Sequence, residues 1–560
     1  MERTSITWAI TGDIVSLGHG IILGGMQERE DNGDRRIHLE SQKHDEKPVD
    51  SWPGIKRAPG AHRIATHLRE EGYDIEVIDF WPAWTYEQLR ELLQKRLRDD
   101  SLFVAVSAIF PNGGAGENDQ KHAWERYQIF TKLKDEFGHK VDFIGGAQNI
   151  SAIIGYQCDY YFAGYGEAAI TEYCKMKRGL EHDLIIRERT YYGAKRRVVE
   201  CRHDHPAFPW THAHIKYEDR DFIQQDEILS IELSRGCRFQ CKFCSFSVLG
   251  VKDDYTRCDE SVYQELLENY ERWGTTMYTI TDETINDYTE KLEKFAKVVQ
   301  RLPFKPHFQG FIRGDLLAAK PEQRDPMWEM GLWSHFYGIE TLNNDAGKYV
   351  GKGMNTDRLK EGLVAAREWF QSKGLYKATI AFIIGLPHET RETFIDGFEW
   401  MQKNMPRQSV LFSPLQITQN ETKNMMTNPS IFEKTALSSG VFRQTTHEAM
   451  GVNFDEIPES MRRVVKFYME ADGVLDWEHD TMSSWDAWKL FAELAAQPTT
   501  AEQVGPGIFY YHRYVTGGMN SIEDMQKTFA EIEPYGLTHL EVHKKLIQDY
   551  ITNKLALGHA

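Results

Sequence analysis

No run of about 18 apolar residues occurs in this 560-residue sequence, so no stretch of it is long and apolar enough to cross a bilayer as a helix. Positive charge is also in short supply. Lys and Arg number 66 against 84 Asp and Glu, a net charge of −18. That balance excludes a broad basic face for nucleic-acid backbones and leaves at most a local groove. Cysteine is scarce, with seven in the chain, and three of these fall between Cys237 and Cys244. The scarcity excludes a disulfide scaffold and points to a reducing, cytoplasmic compartment. The segment Met1 to Trp8 lacks the charged start and apolar stretch of a signal peptide and is expected to open a strand. What is present in quantity is core-forming material: 41% hydrophobic and 12% aromatic residues, in a length that suits roughly three to four domains.

The first part of the chain alternates between the two structural periods. Residues 5–11 read as a strand, and the polar stretch from Gln27 to Pro53 as a long loop or insertion. Helical spacing is expected at Ala61–Arg69, Tyr86–Leu97 and His122–Phe137. Strands are expected at Asp74–Phe80, Leu102–Ser107, Val141–Ile144 and Tyr160–Ala163. Such alternation specifies a doubly wound parallel sheet, whose ligands sit beyond the carboxyl ends of the strands. Those ends carry small residues: Ser107, Gly145 with Gly146, and Gly164 to Glu167. Glycine there allows close approach of a ligand to the backbone, and equally serves an ordinary strand-end turn.

From 178 to 226 the chain is charged and reads as a solvated linker. Cys201, His203, His205, His212 and His214 lie in it without the spacing of a known zinc site. Then a strand-like run, Ile228–Leu233, leads into Ser234, Arg235, Gly236 and the trio Cys237, Cys241 and Cys244. Three thiolates this close, with no fourth nearby, can hold three irons of a four-iron cluster and leave one open. A structural zinc ion takes four protein ligands, and Cys258 stands too far along the chain to be an evident fourth. Downstream, strands at Met277–Thr281, Pro306–Ile312, Trp333–Ile339, Tyr376–Ile384 and Ser409–Phe412 alternate with helical stretches. Counting Ile228–Leu233 they make six, a partial (β/α) barrel with its chemistry at the strand ends.

The C-x₃-C-x₂-C run, with Phe243 before the third cysteine, is identified as that of the radical S-adenosylmethionine superfamily. The first part of the chain resembles the cobalamin-binding domain that precedes the barrel in many members. Ser107 and Ile109 stand at its Ser-x-Leu position, Gly145 and Gly146 at its Gly-Gly, and Gly164 to Glu167 at its closing Gly-x-Gly-Glu. The Asp-x-His-x-x-Gly motif of other cobalamin proteins is missing, because His19 lacks the preceding aspartate. The resemblance therefore implies that no histidine of that motif is a lower ligand to cobalt. It also implies a [4Fe-4S] cluster on Cys237, Cys241 and Cys244, with S-adenosylmethionine chelated at the open iron and cleaved to a 5′-deoxyadenosyl radical. In it, Asp282 and Glu283 meet the ligand's ammonium group, Arg313 (oriented by Asp315) its carboxylate, Glu340 the ribose or carboxylate, and the backbone at Gly385 the adenine. Lys352 is a weaker candidate contact, His388 stands where the family has Gly, and Glu389 with Thr390 equally suits a helix cap.

The domains expected are 1–177, an α/β domain of cobalamin-binding type; 178–226, a linker; 227–415, a partial barrel; and 416–560, a mainly helical domain. In the last, Pro458–Asp472, Ser484–Ala496, Ser521–Ile532 and His539–Lys554 read as helices, with aromatics from Trp477 to Tyr514 as their core or as a cap over substrate. The resemblance implies cobalamin-dependent methylation of an unactivated carbon, with an external electron donor such as flavodoxin or ferredoxin. The alternatives are a rearrangement, dehydrogenation or cyclisation with a vestigial cobalamin domain, and a non-catalytic iron–sulfur or zinc interaction protein.

Overall fold

A computed structural model describes residues 16–24, 57–108, 117–147, 156–191, 194–202, 204–224, 227–244, 255–353, 355–373, 376–405, 408–418, 440–470, 474–495 and 539–557. Two parallel α/β sheets dominate them. The first is built from β1 (His19–Leu23), β2 (Asp74–Ile78), β3 (Ser101–Ser107), β4 (Asp142–Ala147), β5 (Tyr160–Ala163), β6 (Ile186–Tyr191) and β7 (Ala194–Glu200). Their order across the sheet is β2-β1-β3-β4-β5-β7-β6, and every pairing but β6 with β7 is parallel.

The apolar runs of the inner strands bury both faces. Ile21, Leu23, Val104 and Val106 point to one layer, packed against helices Tyr86–Arg96 and Glu117–Phe137. The intervening Ile22, Phe103 and Ala105 point to the other, covered by Pro59–Glu70 and Glu167–Lys177. The period of two thus feeds two cores from one set of strands.

Two expectations for this part fall outside the described residues, and two others need correction. The strand expected at residues 5–11 and the polar stretch from Gln27 to Pro53 lie outside the described residues. The first described strand is β1, in chain that reads as glycine-rich loop. The span 178–226 is not an irregular linker throughout: β6 and β7 form a hairpin that extends the first sheet to Glu200. Its strands carry runs of charge, Arg187 to Arg189 on β6 and Lys195 to Arg197 on β7, and β6 is an edge, where charge discourages further pairing. After it, short turns at Trp210–His212 and Asp219–Asp221 lead to the second sheet.

The second sheet is a six-stranded open barrel of β8 (Leu229–Ile231), β11 (Met277–Ile280), β12 (His307–Ile312), β13 (Leu332–Glu340), β14 (Lys377–Ile384) and β15 (Ser409–Pro414), all parallel and in sequence order. A two-residue pair, β9 (Ser234–Arg235) with β10 (Tyr255–Thr256), ties down the chain on either side of the cysteine loop. Helices such as Asp259–Trp273, Thr289–Gln300, Thr356–Lys373 and Arg391–Asn404 cover the outside. The six expected strands are all there, with ends that coincide or differ by at most two residues.

Among the described residues, the aromatics beyond 416 do not form a core of their own. Trp477, Trp485 and Trp488 bury into the barrel's cluster alongside Phe412 and Phe398. The helix His539–Ala556 instead returns to the first sheet, where Ile547, Tyr550 and Ile551 join its core. There Tyr550 Oη accepts the Asp79 N–H at 2.9 Å, and Lys554 pairs with Glu76 at 3.2 Å. The helix expected at Ser521–Ile532 and the aromatics Phe509 to Tyr514 lie outside the described residues. None of the described helices is long and apolar enough to cross a membrane.

Candidate active site

β8 ends at Ile231, and the chain turns through Gly236, at φ +100, into the cysteine loop. Two anchors hold that turn. Asp282, just past β11, accepts the Leu233 N–H at 2.7 Å and the Ser234 hydroxyl at 2.6 Å. Burial pushes its carboxyl up to about 7, against the pull of Lys291 and these two donors. The second anchor is the segment after β13. Lys242 N–H donates to Val350 O at 3.1 Å, and Cys241 packs against Gly351.

All three loop cysteines are free thiols. Cys241 is buried and lies 3.4 Å from Arg313 Nη1, and Cys237 lies 3.9 Å from the Thr284 hydroxyl. Burial pushes the Cys237 thiol up, and a cation is what such a thiol needs to ionise. Arg313 supplies one beside the loop. Its guanidinium stacks 3.9 Å from the Phe239 centroid and is held by Asp315 at 3.0 and 2.5 Å. Among the described residues no three His, Cys, Asp or Glu side chains stand ready as a metal cage. The trio shares one loop, and its sulfurs are the donors soft iron takes. The other described cysteines differ. Burial pushes the thiols of Cys158, Cys174 and Cys201 up, and each sits inside the first sheet's packing.

The strand ends of the barrel gather charge around this loop. Glu340, at φ +68, pairs with Lys352 Nζ at 2.9 Å, and that ammonium also donates to Gly338 O. A Cβ at Gly338 would stand 2.6 Å from Glu340 Oε1, so the glycine is what lets the pair form. Lys352 also lies 5.6 Å from the ring of Phe243. Gly385 packs against the later chain. A Cβ there would stand 2.5 Å from Trp477 Cη2, and its carbonyl accepts from His479 Nε2 at 3.2 Å, so tight packing against the later chain already accounts for the glycine. Glu389 is not the helix cap. Thr390 caps Arg391–Asn404 together with Thr393, while Glu389 is buried and accepts from the Thr341 hydroxyl.

Ser107, Gly145, Gly146 and Gly164 stand together, as the motifs require, on the wall of a cavity of about 320 Å³. The opposite wall comes from the barrel: Ser230, Glu232, Arg235, Thr281 and Glu283. The cavity is therefore shared by the strand ends of both sheets. The glycines also satisfy packing, since a Cβ at Gly145 would meet Cys158 Sγ at 2.6 Å and one at Gly146 would meet Phe162 O at 2.9 Å. His19 lies at the other end of β1, bonded to Ser101 Oγ at 2.9 Å, with burial lowering its pKa to about 4. Asp282 and Glu283, expected as a pair, part company: Asp282 braces the loop and Glu283 faces the cavity, its carboxyl raised by burial.

Two residues without an expected role join the halves of the site. Arg235, from the cysteine motif, forms a buried ion pair with Glu167, which closes the glycine motif of the first sheet. It also holds Glu232 at 2.9 Å and stacks 3.9 Å from the Trp210 ring and 4.2 Å from that of Tyr165. Burial works to raise the Glu167 carboxyl, and Arg235 outweighs it. Both residues stand inside the two motifs, which is the signal that marks them.

Residues 231–401 match the Radical SAM superfamily. The chain is 29% identical over 177 residues to an uncharacterised methyltransferase of Synechocystis, covering 30% of this chain and 32% of that one. It spans about a third of the length of the curated relatives it matches. Its fold is similar to that of TsrM from Kitasatospora setae, a radical S-adenosylmethionine methyltransferase solved with cobalamin and a [4Fe-4S] cluster. The TM-score is 0.57 at 13% identity, with 96% of this chain and 99% of that one covered. A second similar structure is OxsB, a cobalamin-dependent S-adenosylmethionine radical enzyme with aqua-cobalamin bound. Its TM-score is 0.50 at 13% identity, over 75% of this chain and 55% of that one. The stretch that holds the cysteine loop and most of the barrel strands thus matches the Radical SAM superfamily, and the two-sheet fold is similar to that of the two cobalamin-bound structures.

Proposed function

We propose that the chain is a cobalamin-dependent radical S-adenosylmethionine methyltransferase acting on an unactivated carbon. The observation that carries this reading is the shared cavity, which sets the glycine-lined strand ends of one sheet against the barrel strands that lead into the cysteine loop. The domains follow as 1–177, extended by the hairpin to Glu200, then a connecting segment, the barrel to 415 and a later part divided between both.

Cys237, Cys241 and Cys244 would hold the [4Fe-4S] cluster, and Ser107, Gly145, Gly146 and Gly164 would let a corrin approach the backbone. When bound, these groups and S-adenosylmethionine supply one-electron cleavage of a sulfonium and transfer of a methyl group. The chain's own residues bind and orient. Arg313 donates toward the Cys241 sulfur and offers a cation to the ligand carboxylate. Glu283 accepts from the ammonium group, and Asp282 keeps the loop in register. Glu340 and Lys352 fix the strand end beside Phe243, and the backbone at Gly385 would meet the adenine. An external donor such as flavodoxin or ferredoxin supplies electrons, in a cytoplasmic setting.

The test is anaerobic reconstitution of the full chain with iron, sulfide and hydroxocobalamin, followed by visible spectroscopy and product analysis with S-adenosylmethionine and a reductant. Retained cobalamin, and both S-adenosylhomocysteine and 5′-deoxyadenosine, are expected. Failure to retain cobalamin, or 5′-deoxyadenosine alone, would remove the methyltransferase reading and leave a radical enzyme of another kind. Cleavage that survives Cys241→Ala would overturn both.

A further inference from the structure

The inner face of the barrel sheet holds a feature that packing does not explain. Phe311 is 43% exposed, although it lies on β12, a central strand of the six. Its neighbour Ile312 is buried against the helices, so Phe311 points the opposite way, to the inside of the barrel. The other exposed large hydrophobics, Leu17, Leu180, Ile185 and Ile186, sit outside the barrel, two of them at or next to the edge strand of the first sheet. Phe311 pairs in register with Phe336 on β13, and their rings lie 4.9 Å apart at 60°. One pleat further along the same face stands Arg313, beside Cys241.

One pleat the other way lies a polar row. Gln309 pairs in register with Thr279 on one side and Ser334 on the other. Its Nε2 donates to the Thr279 hydroxyl at 3.0 Å. Its Oε1 has no partner, although the residue is only 8% exposed, and the buried Ser334 hydroxyl has none either. A buried acceptor left unpaired is costly, and a ligand donor would relieve it.

We propose that this face is the substrate pocket, and that it takes a flat apolar group bearing an N–H or O–H donor. Phe311 and Phe336 hold the ring, and Gln309 Oε1 accepts from the donor. The inference rests on the radical-enzyme reading, because that reading is what places a reacting carbon near Arg313. Burying a half-exposed ring against a flat partner gives this pocket its affinity, and the unpaired amide gives it its discrimination.

Phenol and anisole, the same ring with and without the donor, serve as probes. Each is titrated by ligand-observed NMR into the anaerobically reconstituted full chain with S-adenosylmethionine present. Phenol is expected to bind more tightly than anisole, by about tenfold, the size of one hydrogen bond to a buried acceptor. Phe311→Ala and Phe336→Leu should each weaken both probes, and Gln309→Met should erase the preference for phenol. Thermal melts of each variant confirm that it is folded, and Phe336→Leu keeps a bulky apolar side chain at that position. Equal binding of the rings to wild type and Phe311→Ala, or no binding to wild type at all, would overturn the proposal. Cluster absorbance and 5′-deoxyadenosine from the wild-type protein report on the radical reading separately, so the two fail in different ways.

Discussion

The first sheet, apart from its edge hairpin, and the barrel are both parallel, both buried by helices, and end their strands in opposite chemistry. The first sheet ends in Ser107, Gly145, Gly146 and Gly164, which present backbone and no charge. The barrel ends in Asp282, Glu283, Arg313 and Glu340, of which Asp282, Arg313 and Glu340 are held by partners within the barrel and Glu283 faces the cavity. An uncharged wall suits a large ligand recognised by shape and by backbone groups. A charged wall suits a small zwitterion gripped at both ends. The first wall meets Glu283 of the second in one cavity, and two ion pairs, Arg63 with Glu232 and the buried Arg235 with Glu167, join the halves.

Breaking the second of these pairs tests the comparison most severely. Arg235→Ala leaves the buried Glu167 without its ion-pair partner and Glu232 with Arg63 alone, at 3.4 Å, and stability should fall by about 3–5 kcal/mol in denaturant melts. If the loss were below about 1 kcal/mol, within the range of a surface pair, the two walls would not be locked by it. Next, Gly385→Ala forces a methyl into Trp477 at a positive φ and should cost about 1–3 kcal/mol, which a thermal melt would read.

Charge on the barrel side also predicts a pH dependence that the glycine wall lacks. Burial pushes the Glu389 carboxyl up to about 8, with only the Thr341 hydroxyl pulling it down. An unfolded chain releases this proton at the ordinary value of 4.5, and the folded one holds it to about 8. This group's stabilisation is therefore full below 4.5 and is lost as pH rises toward 8. The slope is about 1.4 kcal/mol per unit across that window. Glu389→Gln should flatten the slope in melts at pH 6 and 7. An unchanged slope would refute the assignment. The smallest effect belongs to His388, which holds φ +70, a region that favours glycine. His388→Gly should raise stability by about 1 kcal/mol.

The sequence showed much of this directly. The cysteine trio, the six barrel strands and the order of the glycine motifs rest on local patterns, and local patterns survive folding. It was mute on β6 and β7, where edge-strand charge looks like linker, and on β1, whose glycines look like loop. It grouped Asp282 with Glu283 because adjacent carboxylates look alike, whereas successive side chains here take different surroundings. The Gly385–Trp477 contact joins positions too far apart in sequence for any local pattern to connect.

The helix that returns to the first sheet has a consequence for how the protein is made. Tyr550 Oη meets the Asp79 amide across a separation of 471 positions, and Arg57 lies 5.4 Å from the same tyrosine ring. At about 5–20 residues per second, β2 leaves the ribosome roughly half a minute or more before its covering helix exists. Until then the first sheet's core lacks Ile547, Tyr550 and Ile551, and the nascent chain carries an apolar patch where they will sit. Truncation before residue 539 should therefore yield a protein that binds chaperones and sticks to itself, even with the barrel and its cysteine loop intact.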